Sequence, residues 1–263
     1  MQKRLAPLLP VLSVVLFFAI PAGTLAQRGG QRGGRGQAQA AVPAKAGAAI
    51  DLTGYWVSVV SEDWQFRMIT PPKGNYTAVP LSAEGRRVAD AWDPAKDEAA
   101  GTQCKAYGAA AIMQAPGRLH ITWENDNTLR IDTDAGTQTR LLHFDVSQPE
   151  TGEPAWQGHS AAKWEYATGQ QATTPVQLRE GNLKVVTTRM RPGYLRRNGV
   201  PYSANAVVNE NYQRIKAPNG DEWFIVTTIV EDPMYLNSPF ITSTNFKKLS
   251  NASGWNPTPC SAR

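Results

Sequence analysis

Cysteine, histidine and long apolar runs are all scarce in this 263-residue chain. Two cysteines, Cys104 and Cys260, with no Cys-x-x-Cys, cannot build a thiolate zinc site. Three histidines leave little material for imidazole chemistry. No apolar run after Ile20 approaches the roughly 20 residues of a membrane helix. Internal repeats are absent. A serine-hydrolase elbow needs Gly-x-Ser-x-Gly at a strand-to-helix turn, and Gly158-His159-Ser160-Ala161-Ala162 lacks the final glycine.

Acidic residues are missing from the first fifty positions, and this decides the meaning of the charge. The chain carries +5, but Lys3, Arg4, Arg28, Arg32, Arg35 and Lys45 stand unopposed before residue 51, so 51–263 is −1. The folding part is not basic, and no nucleic-acid partner is expected. Lys3 and Arg4, the apolar run Val11–Ile20 and Thr24-Leu25-Ala26 read as a secretory signal over 1–26. An exported protein, periplasmic or extracellular, is the expectation, with no transmembrane segment once the signal is removed. Residues 27–50 hold Arg28-Gly29-Gly30, Arg32-Gly33-Gly34 and Arg35-Gly36, followed by an Ala/Pro/Gln run. They read as a disordered linker, able to touch an acidic envelope surface weakly.

The remaining stretch, 51–263, is long enough for one core. Its two cysteines can bridge in an oxidising compartment; unpaired burial of Cys104 is the rival reading. Tyr55 to Val60 and Trp64–Ile69 read as strands. Ser82 caps a predicted helix to about Trp92, and Pro94 starts a second to Ala100. From Arg118 onward nearly everything alternates as strand. Trp123 opposite Leu129 and Ile121 opposite Ile131 put the apolar sets of one hairpin on a shared face, with Asn125-Asp126-Asn127 as its loop. Further strands are expected near 137–144, 160–166, 182–189, 205–215, 222–231 and 239–248. The continuous apolar run of 222–230 predicts burial on both faces. The expected fold is mainly β: a single antiparallel up-and-down barrel of roughly 8–10 strands, with one or two short helices near 82–100.

Gly54-Tyr55-Trp56 matches the lipocalin entry pattern, in which the tryptophan plugs one barrel end. Asp93-Pro94, Cys104, Gly158-His159-Ser160, Trp164-Glu165, Gly181-Asn182, Val185-Val186, Thr188, Gly199-Val200-Pro201-Tyr202-Ser203 and Asp232-Pro233 form a scattered set. It resembles a group of exported bacterial proteins of unassigned activity that share a Gly-His-Ser-x-Gly-x-Trp-Glu signature. The resemblance implies a lipocalin-like barrel and supplies no substrate. The chain departs from the pattern at Ala162, at Asn182 where an aspartate is usual, and by an insertion at Tyr166 to Glu180.

His159 is the leading candidate for acid/base work, with Glu165 as its partner; a histidine tying a turn to the wall is the structural alternative. His120, Glu124 and Asp132 form a second polar constellation, which also reads as the solvated face of a sheet, so no metal is expected. His143 reads as structural. Arg189, Arg191, Arg196 and Arg197 flank Pro192-Gly193-Tyr194 and suit a carboxylate or phosphate. Trp123, Glu124, Trp164, Arg189, Arg191, Tyr194 and Tyr202 are the candidate ligand contacts. No cofactor motif is present. The leading functional expectation is a barrel binding a small apolar or amphipathic molecule. A cofactor-free isomerase, lyase or hydrolase using His159 is the alternative, and an envelope structural or interaction protein a further one.

Overall fold

The computed structural model describes residues 42–145, 152–167 and 181–262. The signal expected at 1–26, most of the expected linker and nearly all of the insertion at 166–180 lie outside them. Nine strands close into a barrel: β1 (Gly54–Val59), β2 (Arg118–Asn125), β3 (Thr128–Thr133), β4 (Gln138–His143), β5 (His159–Tyr166), β6 (Gly181–Thr188), β9 (Val207–Lys216), β10 (Glu222–Glu231) and β11 (Phe240–Leu249). Two further strands, β7 (Gly193–Arg196) and β8 (Val200–Tyr202), pair only with each other.

Every neighbouring pair in the barrel is antiparallel except β4 and β5, where Leu142 lies beside Ser160 in a parallel register. Strand direction cannot alternate fully around an odd-numbered ring, so one parallel seam is forced. A parallel pair needs a crossover of a dozen or more residues. The chain supplies 144–158 for it.

The expected hairpin register holds: Trp123 faces Leu129, Ile121 faces Ile131 and His120 faces Asp132. A bulge at Glu124 brings Asn125 opposite Thr128, so the loop tightens to Asp126-Asn127. The alternating Trp64–Ile69 segment is not a strand. Trp64–Arg67 forms a single helical turn, α1, that buries Phe66 and Arg67 while Trp64, Met68 and Ile69 face solvent. Consecutive buried residues are what a helical turn produces and an alternating strand cannot. Two helices follow as expected, α2 (Ala83–Asp90), capped by the Ser82 hydroxyl, and α3 (Pro94–Ala99), capped by the Asp93 carboxylate.

Side chains occupy the lumen and both of its ends. Trp56 is 0% exposed, packs edge-on against Phe224 at 4.7 Å, and donates its indole N–H to the Leu52 carbonyl. Phe224 stacks in turn on Phe246. Ile50 and Leu52 join this core from one end, Tyr107, Ile112 and Met113 from the other. The linker therefore stops short of residue 50. Its last residues dock on the barrel, where Trp164 donates to the Ala44 carbonyl, Tyr166 to the Gly47 carbonyl, and Ala49 is buried. At the opposite end the 60–117 segment and the β7–β8 hairpin form a cap with its own core, including Tyr76, Leu81, Met190, Leu195, Tyr202 and Phe240.

The β10 run departs from expectation. It alternates, with Phe224, Val226, Thr228 and Val230 inward and Ile225, Thr227 and Ile229 only partly covered on the outer wall. Ile241 on the adjacent β11 is 61% exposed.

The C-terminal segment runs along the outer wall from one barrel end to the other. Trp255 packs edge-on against the Tyr55 and His120 rings, Thr258 bonds the Asp134 backbone, and Cys260 is disulfide-bonded to Cys104 in the cap. The bridge spans 156 positions of sequence, so it restricts the unfolded chain strongly. Replacing Cys260 by Ser is expected to lower the unfolding free energy by roughly 2–4 kcal/mol. Urea titrations of oxidised, reduced and Cys260→Ser protein check this; coincident curves would show that the strap is held without the bridge.

Candidate functional site at the capped end

Inside the barrel a polar belt crosses six adjacent strands. Arg140 (β4), Ser160 (β5), Thr187 (β6), Glu210 (β9), Thr228 (β10) and Thr242 (β11) are all buried. Arg140 and Glu210 form a bidentate ion pair at 3.1 and 2.7 Å with both side chains 0% exposed. Arg140 also reaches Tyr212 and Thr187, and Thr187 shares a 2.8 Å hydrogen bond with Ser160. Burial works against the guanidinium charge, but Glu210 and Tyr212 more than offset it and hold its proton firmly. Burial, aided by the Glu210 charge, pushes the Tyr212 phenol well up, so it stays protonated. The belt lies in a lumen already filled by Trp56, Phe224 and Phe246, which makes it an internal tie between opposite walls. Breaking a buried pair strands the remaining charge.

Gly158-His159-Ser160 takes its meaning from this geometry. Gly158 sits at φ 58°, and a Cβ there would run into the Thr188 carbonyl oxygen, so the turn requires glycine. Ser160 points inward to the belt. His159 alternates outward and stacks on His143, with ring centroids 5.3 Å apart and planes within 10°. Glu165 is six residues along the same strand, about 20 Å away at the strand rise, and is paired with Lys184 at 2.7 Å. The proposed acid/base pair is not assembled.

Several other sequence candidates are held by structural partners. Glu124 bonds Arg130, which also holds Asp132; His120 stacks on Tyr55 at 4.1 Å. Among the described residues no three His, Cys, Asp or Glu side chains gather as a metal site. Tyr194 donates to Asp97 at 2.7 Å, and Asp97 also takes the Lys105 ammonium. Tyr202 is fully buried in the cap core. Arg189 reaches the Gly152 carbonyl, and Arg191 lies 4.4 Å over the Trp156 ring. Trp123, Phe144 and Trp164 cluster at the barrel end closed by 42–50, where Trp164 lines a cleft of about 520 Å³.

The arginine loop nevertheless contributes to a site, through its other two members. A cavity of about 160 Å³ lies between the cap and the barrel rim, lined by Phe66, Arg67, Ala106, Tyr107, Ala111, Gln114, Ala115, Pro116, Ala135, Leu195, Arg196, Arg197 and Thr258. Arg67, 4% exposed, is fully engaged: it bonds Glu62, Ser58 and the Gln114 carbonyl. Arg196, 5% exposed, lies 3.9 Å over the Phe66 ring and gives one hydrogen bond, from Nη1 to the Thr77 carbonyl. Burial pushes its pKa below the usual arginine value, with only Asp63 acting the other way. Arg197 donates to the Arg67 carbonyl. The Gln114 side-chain nitrogen is buried without an acceptor among the described residues.

Sequence reasoning missed Arg67, hidden in a helical turn read as a strand, and Gln114, in a 3-10 turn with no pattern. It also missed Arg140 and Glu210. Among the described residues no helix is long and apolar enough to cross a membrane.

Two outcomes follow. Arg140→Met should cost about 3–5 kcal/mol, and Arg140→Met/Glu210→Met should recover most of it; a urea double-mutant cycle reads the coupling, and additive costs would contradict a tie made by the pair. Burial, with the adjacent His159, holds His143 below the ordinary imidazole value of 6.5. The unfolded chain then binds the extra proton first, so stability is full above pH 6.5 and falls as the pH drops below it. The shifted carboxylates are all depressed and act at lower pH. Thermal melts from pH 7.5 to 5 should fall for the native chain and flatten for His143→Gln. Comparison with protein-family models, with curated proteins and with solved structures gives no match to this chain.

Proposed function

We propose that this protein is an exported barrel that binds a small amphipathic molecule at its capped end. The observation that carries the reading is the cavity of about 160 Å³, lined by the apolar Phe66, Leu195, Pro116 and four alanines and also by Arg196, Arg197 and Gln114, whose side-chain nitrogen has no acceptor among the described residues. An apolar cavity of roughly 150 Å³ is enough to take benzene, which sets the scale of the apolar body. Polar groups converging beside apolar side chains in one concavity are what ligand sites present. The side chains filling the lumen argue against the deep interior site of a typical lipocalin-like carrier.

Export rests on the leader-like first 26 residues, and the Cys104–Cys260 bridge suits an oxidising compartment. Likeness to the exported Gly-His-Ser group fits the roles its shared residues play here. Asp93 caps α3, Cys104 anchors the strap, and Ser203 bonds Asp232 through both backbone and hydroxyl at 2.6 and 2.8 Å. These are scaffold roles, and they favour a binding protein over an enzyme.

A titration of the oxidised protein with single-ring aromatics, followed by amide NMR, should move resonances of 106–116 and 195–197 and saturate. Ala115→Phe, which fills the cavity, should abolish those shifts while the melting temperature stays within a few degrees. Equal binding by the filled variant would remove this site from consideration.

A further inference from the structure

We propose that the polar end of the ligand is a carboxylate, received by the Nε–Nη2 edge of Arg196 with Arg197 and the Gln114 amide beside it. This rests on the preceding reading and names the ligand class of that same cavity.

Three guanidinium groups line one cavity. Arg67 has a carboxylate of its own in Glu62. Arg196 and Arg197 have no ion-pair partner among the described residues, and each gives a single side-chain hydrogen bond there, to a main-chain carbonyl. A neutral carbonyl solvates a guanidinium but does not neutralise it. Arg196 is more than nine-tenths buried, flanked by Phe66 at 3.9 Å and Phe240 at 5.6 Å. Those ring faces compensate the charge only in part. A buried cation helped only by Asp63, which makes no ion pair with it, is incompletely compensated. The chain has nonetheless placed this one in the wall of a cavity rather than turning it to bulk water.

Geometry selects the anion. The Nη1 bond to Thr77 leaves the Nε–Nη2 edge without an acceptor among the described residues, and that edge presents two parallel N–H groups at the spacing of a carboxylate's two oxygens. Gln114, whose side-chain nitrogen is buried without an acceptor among the described residues, lines the same cavity. A carboxylate supplies four acceptor lone pairs, enough for the Arg196 fork, Arg197 and Gln114 together. The apolar part of the lining, built from Ala106, Ala111, Ala115, Pro116 and Leu195, calls for an apolar body on the same molecule. A bare phosphate would satisfy the arginines and leave that part uncovered.

The experiment compares benzoate, benzyl alcohol and inorganic phosphate by isothermal titration of the oxidised full chain at pH 7. Benzoate is expected to bind about tenfold or more tightly than benzyl alcohol, and phosphate far more weakly than benzoate. Arg196→Met should erase the benzoate preference and leave benzyl alcohol binding within a factor of about two. Because Arg196 also packs against Phe66, the half-buried neighbour's variant Arg197→Gln provides a second readout, with a several-fold loss for benzoate alone. Equal affinity for benzoate and benzyl alcohol would overturn the carboxylate while keeping the cavity as a ligand site. Phosphate binding as tightly as benzoate would overturn it in favour of a bare anion site. Binding of none of the three would sink the cavity reading and this inference with it.

Discussion

A ring of nine strands cannot reverse direction at every step. One seam must run parallel, and here it falls between β4 and β5. Much of the molecule follows from that constraint. β5 begins beside the end of β4, Leu142 against Ser160, with 144–158 between the two strands. The turn that ends this connection needs Gly158 in the left-handed region, pressed against the Thr188 carbonyl. It sets His159 beside His143 on the outer wall and sends Ser160 into the lumen. The histidine-bearing motif is thus the landing point of a topological necessity.

The interior shows a second consequence. Closure removes sheet edges, but it commits every inward side chain to the lumen. Trp56, Phe224 and Phe246 fill one part with apolar bulk. The Arg140–Glu210 pair and its hydroxyl neighbours fill another, spanning strands that are not adjacent. With the lumen occupied in this way, the cavity of the proposed site lies at the rim, where the cap meets the barrel.

The fold was legible where alternation ran through both strands of a hairpin, whereas the shorter alternation of Trp64–Ile69 misled. Leu119, Ile121 and Trp123 against Leu129 and Ile131 fixed a register that the structure reproduces. Gly54-Tyr55-Trp56 pointed to a buried tryptophan, and Trp56 is buried. The belt was not legible because β4 offers Leu141 and Leu142 side by side, so either parity is consistent with the pattern. The structure turns Leu142 inward and thereby Arg140 with it. A charged residue at an inward position runs against the usual hydrophobic pattern. Glu210 sits between Asn209 and Asn211, where nothing marks it as buried. At the rim, the arginine loop was noticed, but which of its members turn inward depends on the β7–β8 hairpin packing against α1. That is a long-range contact, and no local period encodes it.

The rim cavity is drawn from five separated stretches: 66–67, 106–116, 135, 195–197 and Thr258 on the strap. No single hairpin or helix pair carries enough of it to hold a molecule. The site comes into being only when cap, barrel and strap are all in place. A bound ligand therefore acts by mass action on the folded state as a whole. It slows amide exchange that requires global opening and leaves locally fraying segments untouched. In this protein occupancy and global folding are two readings of one equilibrium.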